Sequence, residues 1–142
     1  MTEIVLPEDT NARGYVFGGR VLSLIDKCAA VVAMRHARSD VTTASLDSVD
    51  FSSGIRMGGI MVLSGRMNAA FSSSMEVEVE VHSEDRLTGE RTPTTRAFVT
   101  MVALDEAARP RRVPLLESES DEERARAEAA SERRRLRLSR RA

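Results

Sequence analysis

PEDTNARGYVFGGRVLSLID, residues Pro7–Asp26, decides how this chain is read. Turn-forming residues and glycines run straight into an apolar segment that carries one carboxylate, Asp26. Val21, Leu22, Leu24, Ile25, Cys28, Ala29, Val31, Val32 and Met34 recur at helical spacing. They predict a helix that opens at the glycines, is apolar on most sides and ends near His36–Ser39. Such a helix must be enclosed by other structure. Gly18 and Gly19 stand at its start, where free N–H groups and the helix dipole favour negative charge. Without side chains there, a ligand can approach the backbone closely. A preorganised pair of amides followed by an acid is the composition of a site that polarises a carbonyl.

Four extended runs follow the helix. Val41–Phe51 is β-branched and alternating, Gly59–Met67 is an apolar run, and Ala97–Leu104 closes the core. Ser74–His82 alternates most cleanly, which predicts Met75, Val77, Val79 and Val81 on the core face and Glu76, Glu78 and Glu80 facing water. Turns fall at SSGIRMGG and SEDRLTGE, and Pro93 marks the entry to the last strand. The N-terminal TEIVL adds a short edge strand. Successive strands without intervening helices pair antiparallel. One face of the sheet must cover the helix, giving an α+β layer. The expected architecture is therefore a hotdog fold, an antiparallel sheet of five to six strands wrapped around one long central helix. An open sheet edge and a helix flank are left over, and a second copy is expected to cover them.

The composition shifts once, near Pro114. Residues 1–116 read as one domain, and residues 117–142 as a charged C-terminal helix or partly disordered tail with acids first and arginines last. The arginine-rich end could also touch an anionic surface. A net charge of -1 gives no global electrostatic case for nucleic acid. Cys28 is the only cysteine, the N-terminus lacks the basic and apolar regions of a leader, and no apolar run could span a bilayer. A cytoplasmic protein without stable membrane insertion is expected. His36 and His82 show no metal-ligand spacing with Cys28, so neither a metal nor nucleophilic thiol chemistry is expected.

PEDTNARGYVFGG followed by LSLIDKCAA, and then in order VTTASLDSVDF, SSMEVEVEV, GERTPTT and FVTMVALDE leading to VPLL, resembles the hotdog-fold acyl-CoA thioesterases of the YciA-like and cytosolic acyl-CoA hydrolase type. The resemblance covers roughly residues 3–116. It implies hydrolysis of acyl-CoA thioesters to a free fatty (carboxylic) acid and CoA. CoA is then part of substrate and product, and no cofactor is needed. It also implies a homodimer, extended to a hexamer as a trimer of dimers.

Asp26 would be the general base that activates water, or the nucleophile of a transient anhydride. It lies seven residues beyond Gly19, or about 10 Å along a helix axis, too far to act with the glycines of its own chain. A site across a dimer interface removes the difficulty: Asp26 of one protomer faces Asn11 and the Gly18–Gly19 loop of the other. Asn11 would orient water or hold the carbonyl, although Asn after Asp9–Thr10 is also a good turn residue. For substrate binding the resemblance points to Phe17, Ser72, Ser73, Ser74, Met75 and Arg91. The chain departs from the family at Phe71–Ser74, where a glycine and an arginine are missing from the stretch that borders pantetheine and phosphate. It departs again at Gly54, which loosens a turn where proline is usual, and at Gly59, where aspartate is usual. Arg96 is an extra cation. Arg91 and Arg96 each read as a surface ion-pair partner ahead of a CoA ligand. These departures support an alternative, a non-catalytic acyl-CoA-binding or sensing protein. A hotdog dehydratase would need a histidine in the helix-entry loop, which has none.

Overall fold

Helix α1 (Gly18–Ala37) runs through a sheet of five strands: β1 (Thr2–Ile4), β2 (Asp40–Phe51), β3 (Ile60–Ala70), β4 (Ser74–Glu84) and β5 (Arg91–Leu104). A second helix, α2 (Asp121–Ser139), follows β5. The computed structural model describes residues 1–141. Strand order is β1-β3-β4-β5-β2, and every neighbouring pair is antiparallel. The expected hotdog arrangement is present, with TEI as the short edge strand.

Val21, Leu24, Ile25, Cys28, Ala29, Ala33 and Ala37 form the buried stripe of α1 and pack on β2, β3, β4 and β5. Small residues in this stripe bring the helix close to the sheet. Closest is Gly65 on β3, where an added Cβ would lie 2.9 Å from Val32 and 3.1 Å from the Cys28 sulfur. From the sheet, Met75, Val77, Val79, Val81, Val99 and Met101 complete the core. The helix ends at Arg38, whose left-handed backbone (φ 54°) returns its amide to the Met34 carbonyl at 2.8 Å and turns the chain into β2.

Two expectations are corrected. Glu76 and Glu78 do not face water: they are 2% and 1% exposed. The alternation along β4 is as read, but α2 lies across the outer face of the sheet and makes it a second interior. Arg133 of α2 reaches Glu76 at 2.6 Å, and Arg137 reaches Asp47 of β2 at 2.9 Å. Arg133 also stacks over Phe98, 3.7 Å from the ring centre, and Ala130 is wholly enclosed. Glu78 is held by Arg66 and Arg96, both at 2.9 Å, and by Asn68 at 3.1 Å. Burial opposes its charge, but the bonds from Asn68 and Arg66 and the charges of Arg66 and Arg96 prevail and keep its pKa below the usual value. Two of the arginines assigned to a free basic end are thus committed to buried carboxylates.

Pro93 is the second correction. The last strand begins at Arg91, so Pro93 lies inside it, opposite His82 where the β4–β5 register shifts. A residue without an N–H is tolerated at such an irregularity, and β2 has already ended its ladder beside Thr95.

Candidate active site

The loop before α1 is stitched down along its length. Pro7–Asp9 form one 3-10 turn, Thr10 bridges to Val16, and Tyr15 bridges to Arg56. The amide of Val16 donates to the Ile55 carbonyl at 2.8 Å, and that of Met57 to the Gly14 carbonyl at 2.9 Å. Asn11 Oδ1 accepts the amides of Arg13 (2.9 Å) and Tyr15 (3.2 Å). The turn role of Asn11 is therefore real. It occupies only the carbonyl end of the amide and leaves the NH2 group available to a ligand. Arg20 fastens the loop to the helix, with its guanidinium 3.4 Å from Asp9 and 3.9 Å from Glu3.

No side chain caps the start of α1 at Phe17. Arg20 and Val21 donate to the Phe17 carbonyl, while the Gly18 and Gly19 amides have no acceptor among the described residues. A Cβ on Gly19 would meet nothing within 4 Å, and its backbone is not left-handed. Nothing inside the protomer requires glycine there. Gly18, Val16, Val21, Phe51, Ile55 and Thr95 line a cavity of about 350 Å³ at this end of the helix. Phe17 is half-exposed beside it. Gly54, whose departure from the family was read as loosening a turn, does the opposite: a Cβ there would strike the Tyr15 ring at 2.6 Å, so glycine lets that ring close over the loop.

Asp26 sits on the same face of α1 as Gly19, seven residues on and so about 10 Å away along the axis. It is half-buried rather than snorkelling, and no arginine among the described residues pairs with it. Its partner is Thr43 of β2, whose hydroxyl donates to Asp26 Oδ1. The same hydroxyl lies 3.6 Å from the Met101 sulfur. Thr43 was missing from the residues picked out by sequence. A threonine in a β-branched strand carries no mark of function, and only the packing of β2 against α1 brings it to the acid.

The other selected residues scatter. Met75 is wholly buried in the core. Ser72, Ser73 and Ser74 form the β3–β4 hairpin, whereas Arg91 pairs with Glu84 (2.9 Å) at the opposite end of β4, about 34 Å away by strand rise. One protomer cannot direct both at one phosphate. Arg96 is spent on Glu78 and stacks on Phe98. Cys28 is buried, and burial raises its thiol pKa, which suits a core residue and not a nucleophile. His36 bonds the Pro114 carbonyl at 2.8 Å. No helix among the described residues is long and apolar enough to cross a membrane.

Comparison with known proteins agrees with the fold and extends it. A thioesterase-superfamily profile matches residues 13–90. A hexameric acyl-CoA thioesterase solved in its apo form is 49% identical, with a TM-score of 0.94 over 100% of this chain and 91% of that one. The acyl-CoA hydrolase of Staphylococcus aureus, solved with butyryl coenzyme A, coenzyme A and coenzyme A disulfide, is 37% identical, with a TM-score of 0.91 over 99% of this chain and 86% of that one. It has also been solved as single alanine variants of an aspartate, an asparagine and a threonine. The uncharacterized acyl-CoA thioester hydrolase YkhA of Bacillus subtilis is 42% identical over 122 residues, 86% of this chain and 71% of its own length. The chain spans only 34% of the mouse, rat and human cytosolic acyl coenzyme A thioester hydrolases that it also matches. With a profile covering more than half its length and these relatives along nearly all of it, the chain belongs to the hotdog-fold acyl-CoA thioester hydrolases of the thioesterase superfamily.

Proposed function

We propose that the chain hydrolyses acyl-CoA thioesters to a free carboxylic acid and CoA at a site shared by two protomers. Asp26 and Thr43 come from one, and Asn11 with the Gly18 and Gly19 amides from the other. The observation that carries this is the Thr43–Asp26 bond, which fixes a half-buried carboxylate about 10 Å from the amides at the start of its own helix. Oxyanion donors act at about 3 Å, so the two halves need a second copy to meet. β2 offers the surface for it: a 12-residue edge strand flanked by the exposed apolar side chains of Phe17, Val31, Met34, Leu46 and Phe51. The substituted asparagine, aspartate and threonine of the Staphylococcus enzyme are separated by 15 and 17 positions. Asn11, Asp26 and Thr43 have the same separations. That agreement supports all three roles.

Thr43 occupies Oδ1 of Asp26, so Oδ2 is the oxygen left for chemistry. As a base it takes a proton from water while the water oxygen adds to the thioester carbon, and the C–S bond breaks as the sulfur leaves as the thiol. As a nucleophile it adds to that carbon itself, expels the thiolate and leaves an anhydride for water to open. In both, negative charge grows on the carbonyl oxygen, where the free amides at a helix N-terminus stabilise it. Residues 1–116 carry this chemistry, and α2 is a layer added to it. The assembly is a homodimer at least, and a trimer of dimers on the precedent of the hexameric relative. A cytoplasmic location fits the single buried cysteine. Thiol release from acyl-CoA esters of increasing length tests the activity. Asp26→Asn must lower kcat by roughly 100-fold or more; undiminished turnover removes Asp26 from the mechanism.

A further inference from the structure

Tyr15 stands in the loop that carries Asn11, and the two residues are bonded to each other in both directions. The Asn11 amide donates to the Tyr15 carbonyl at 2.8 Å, and the Tyr15 amide donates back to Asn11 Oδ1 at 3.2 Å. Between them the chain reverses at Gly14, whose φ of 80° is left-handed and whose amide meets the Asn11 carbonyl at 3.0 Å. The Asn11 carboxamide therefore turns with the backbone of Tyr15. Whatever fixes Tyr15 also fixes the direction of the NH2 group that Asn11 leaves free.

The ring of Tyr15 is itself fixed. It is half-buried against Gly54, where an added Cβ would come within 2.6 Å of its Cδ1, 3.1 Å of Cε1 and 3.3 Å of Cγ. The guanidinium carbons of Arg56 and Arg13 lie 5.1 and 5.9 Å from its centre, within cation–π range. A bridge between Tyr15 and Arg56 holds the two segments together. It is made by the Val16 amide on the Ile55 carbonyl (2.8 Å) and the Met57 amide on the Gly14 carbonyl (2.9 Å). Only a residue without a Cβ lets the segments close on the ring at that distance. The Gly54 backbone is not left-handed, so glycine there answers to the ring and not to the turn.

We infer that Tyr15, seated on Gly54 and flanked by Arg13 and Arg56, is a positioning residue that aims the Asn11 carboxamide into the active site. It acts only through Asn11. The inference rests on the role proposed above for Asn11 in thioester hydrolysis. A preorganised donor contributes only if its direction is set before charge develops, and a displacement of about 1 Å is enough to waste it.

Gly54→Ala tests this, because the new methyl must push the ring back by about 1 Å to reach ordinary contact. Thiol release from an acyl-CoA ester should show kcat lowered roughly tenfold while KM stays within about twofold. Tyr15→Leu, which removes the ring, should lose a similar factor, and Tyr15→Phe, which keeps it, should recover the rate. Asn11→Asp keeps the acceptor of the turn but removes the NH2 donor, and alone it should cost roughly 100-fold. Adding Gly54→Ala or Tyr15→Leu to it should cost nothing more, since the ring then has no donor to aim. Thermal unfolding and mass in solution, read on the same preparations, separate a lost fold or assembly from a misdirected donor.

If the ring variants lower kcat by the same factor with and without the Asn11 donor, Tyr15 has only a structural role and the inference falls. An unchanged kcat in both Gly54→Ala and Tyr15→Leu also overturns it. Should Gly54→Ala fail to fold, Tyr15→Leu carries the same comparison against Asn11→Asp. A wild-type protein that hydrolyses no acyl-CoA ester, or an Asn11→Asp variant as fast as the wild type, overturns the reading of Asn11 and this inference with it.

Discussion

Replacing Gly19 with alanine separates what the fold needs from what the reaction needs. Inside the protomer the new methyl meets nothing within 4 Å, and the backbone is one that any residue adopts. Alanine exceeds glycine by about 1 kcal/mol in a helix interior; about half of that is expected in the first turn. For a chain of 142 residues, with about 2 cal/mol/K of unfolding entropy per residue, 0.5 kcal/mol raises Tm by about 2 °C. Catalysis should move the opposite way. If the Gly19 amide reaches the developing oxyanion, a methyl on the adjacent Cα obstructs that approach. Loss of one such donor costs roughly 100-fold in kcat, or nearly 3 kcal/mol. Calorimetry, mass measurement in solution and thiol-release kinetics on one preparation read all three effects. A variant that melts higher, assembles normally and turns over at the wild-type rate refutes the argument that the open face of Gly19 receives the substrate. One that falls apart into protomers refutes it differently, by showing that the face is a contact between chains.

Mixing two inactive variants tests the shared site. Asp26→Asn and Gly19→Ala each spoil both sites of their own dimers, but random reassociation gives half the molecules one intact site, so about a quarter of wild-type activity should return; no recovery would place both halves in one chain. Gly65→Ala pushes a methyl to within 2.9 Å of Val32 and 3.1 Å of the Cys28 sulfur, and thermal unfolding should show a loss of about 1–3 kcal/mol. Arg133→Ala leaves the buried Glu76 carboxylate without its counter-charge and with only the Asn68 amide (3.0 Å) to hold it, which should cost about 3 kcal/mol in denaturant unfolding, whereas a loss under 1 kcal/mol would mean that α2 is not seated on Glu76. The pKa of Glu78 is lower folded than its ordinary 4.5, so its share of stability is present above that pH and disappears as pH falls through the lower folded value. Glu78→Gln should therefore flatten the acid limb of a stability–pH curve and leave its slope near neutrality unchanged.

The strands and the central helix were legible because each is held mainly by its own periodicity. In Ser74–His82 the valines and the methionine at every second place commit that face to the core whatever lies opposite. What lay on the other face was not legible. The glutamates read as solvent-facing because solvent is the usual partner of an alternating polar face. Glu76 finds its ion-pair partner Arg133 57 residues away in sequence, on a helix whose composition looks solvated, while Glu78 finds Arg66 and Arg96 on the flanking strands. Helix α2 packs through one enclosed alanine and through arginine stems laid over Phe98 and Phe71, contacts that leave no apolar stripe to find. The acid of the site was legible because a lone carboxylate on an apolar helix needs an explanation. Thr43 was not, since its inward direction depends on the β2 register, which shifts just after it at Ser45.

The spacing between Gly19 and Asp26 ties these two levels together. Seven residues bring both onto one helix face, and the helix rise keeps them about 10 Å apart however the rest of the chain folds. No adjustment of side chains closes that gap, because Thr43 anchors the carboxylate and the amides belong to the backbone. A chain with this segment in this fold has donors in one place and a base in another. If the two cooperate, they do so between copies, and the unpaired edge of β2 with its apolar flank is the surface proposed above for that contact. Assembly is then part of the catalytic mechanism, and a protomer that is folded but solitary should not cleave the thioester.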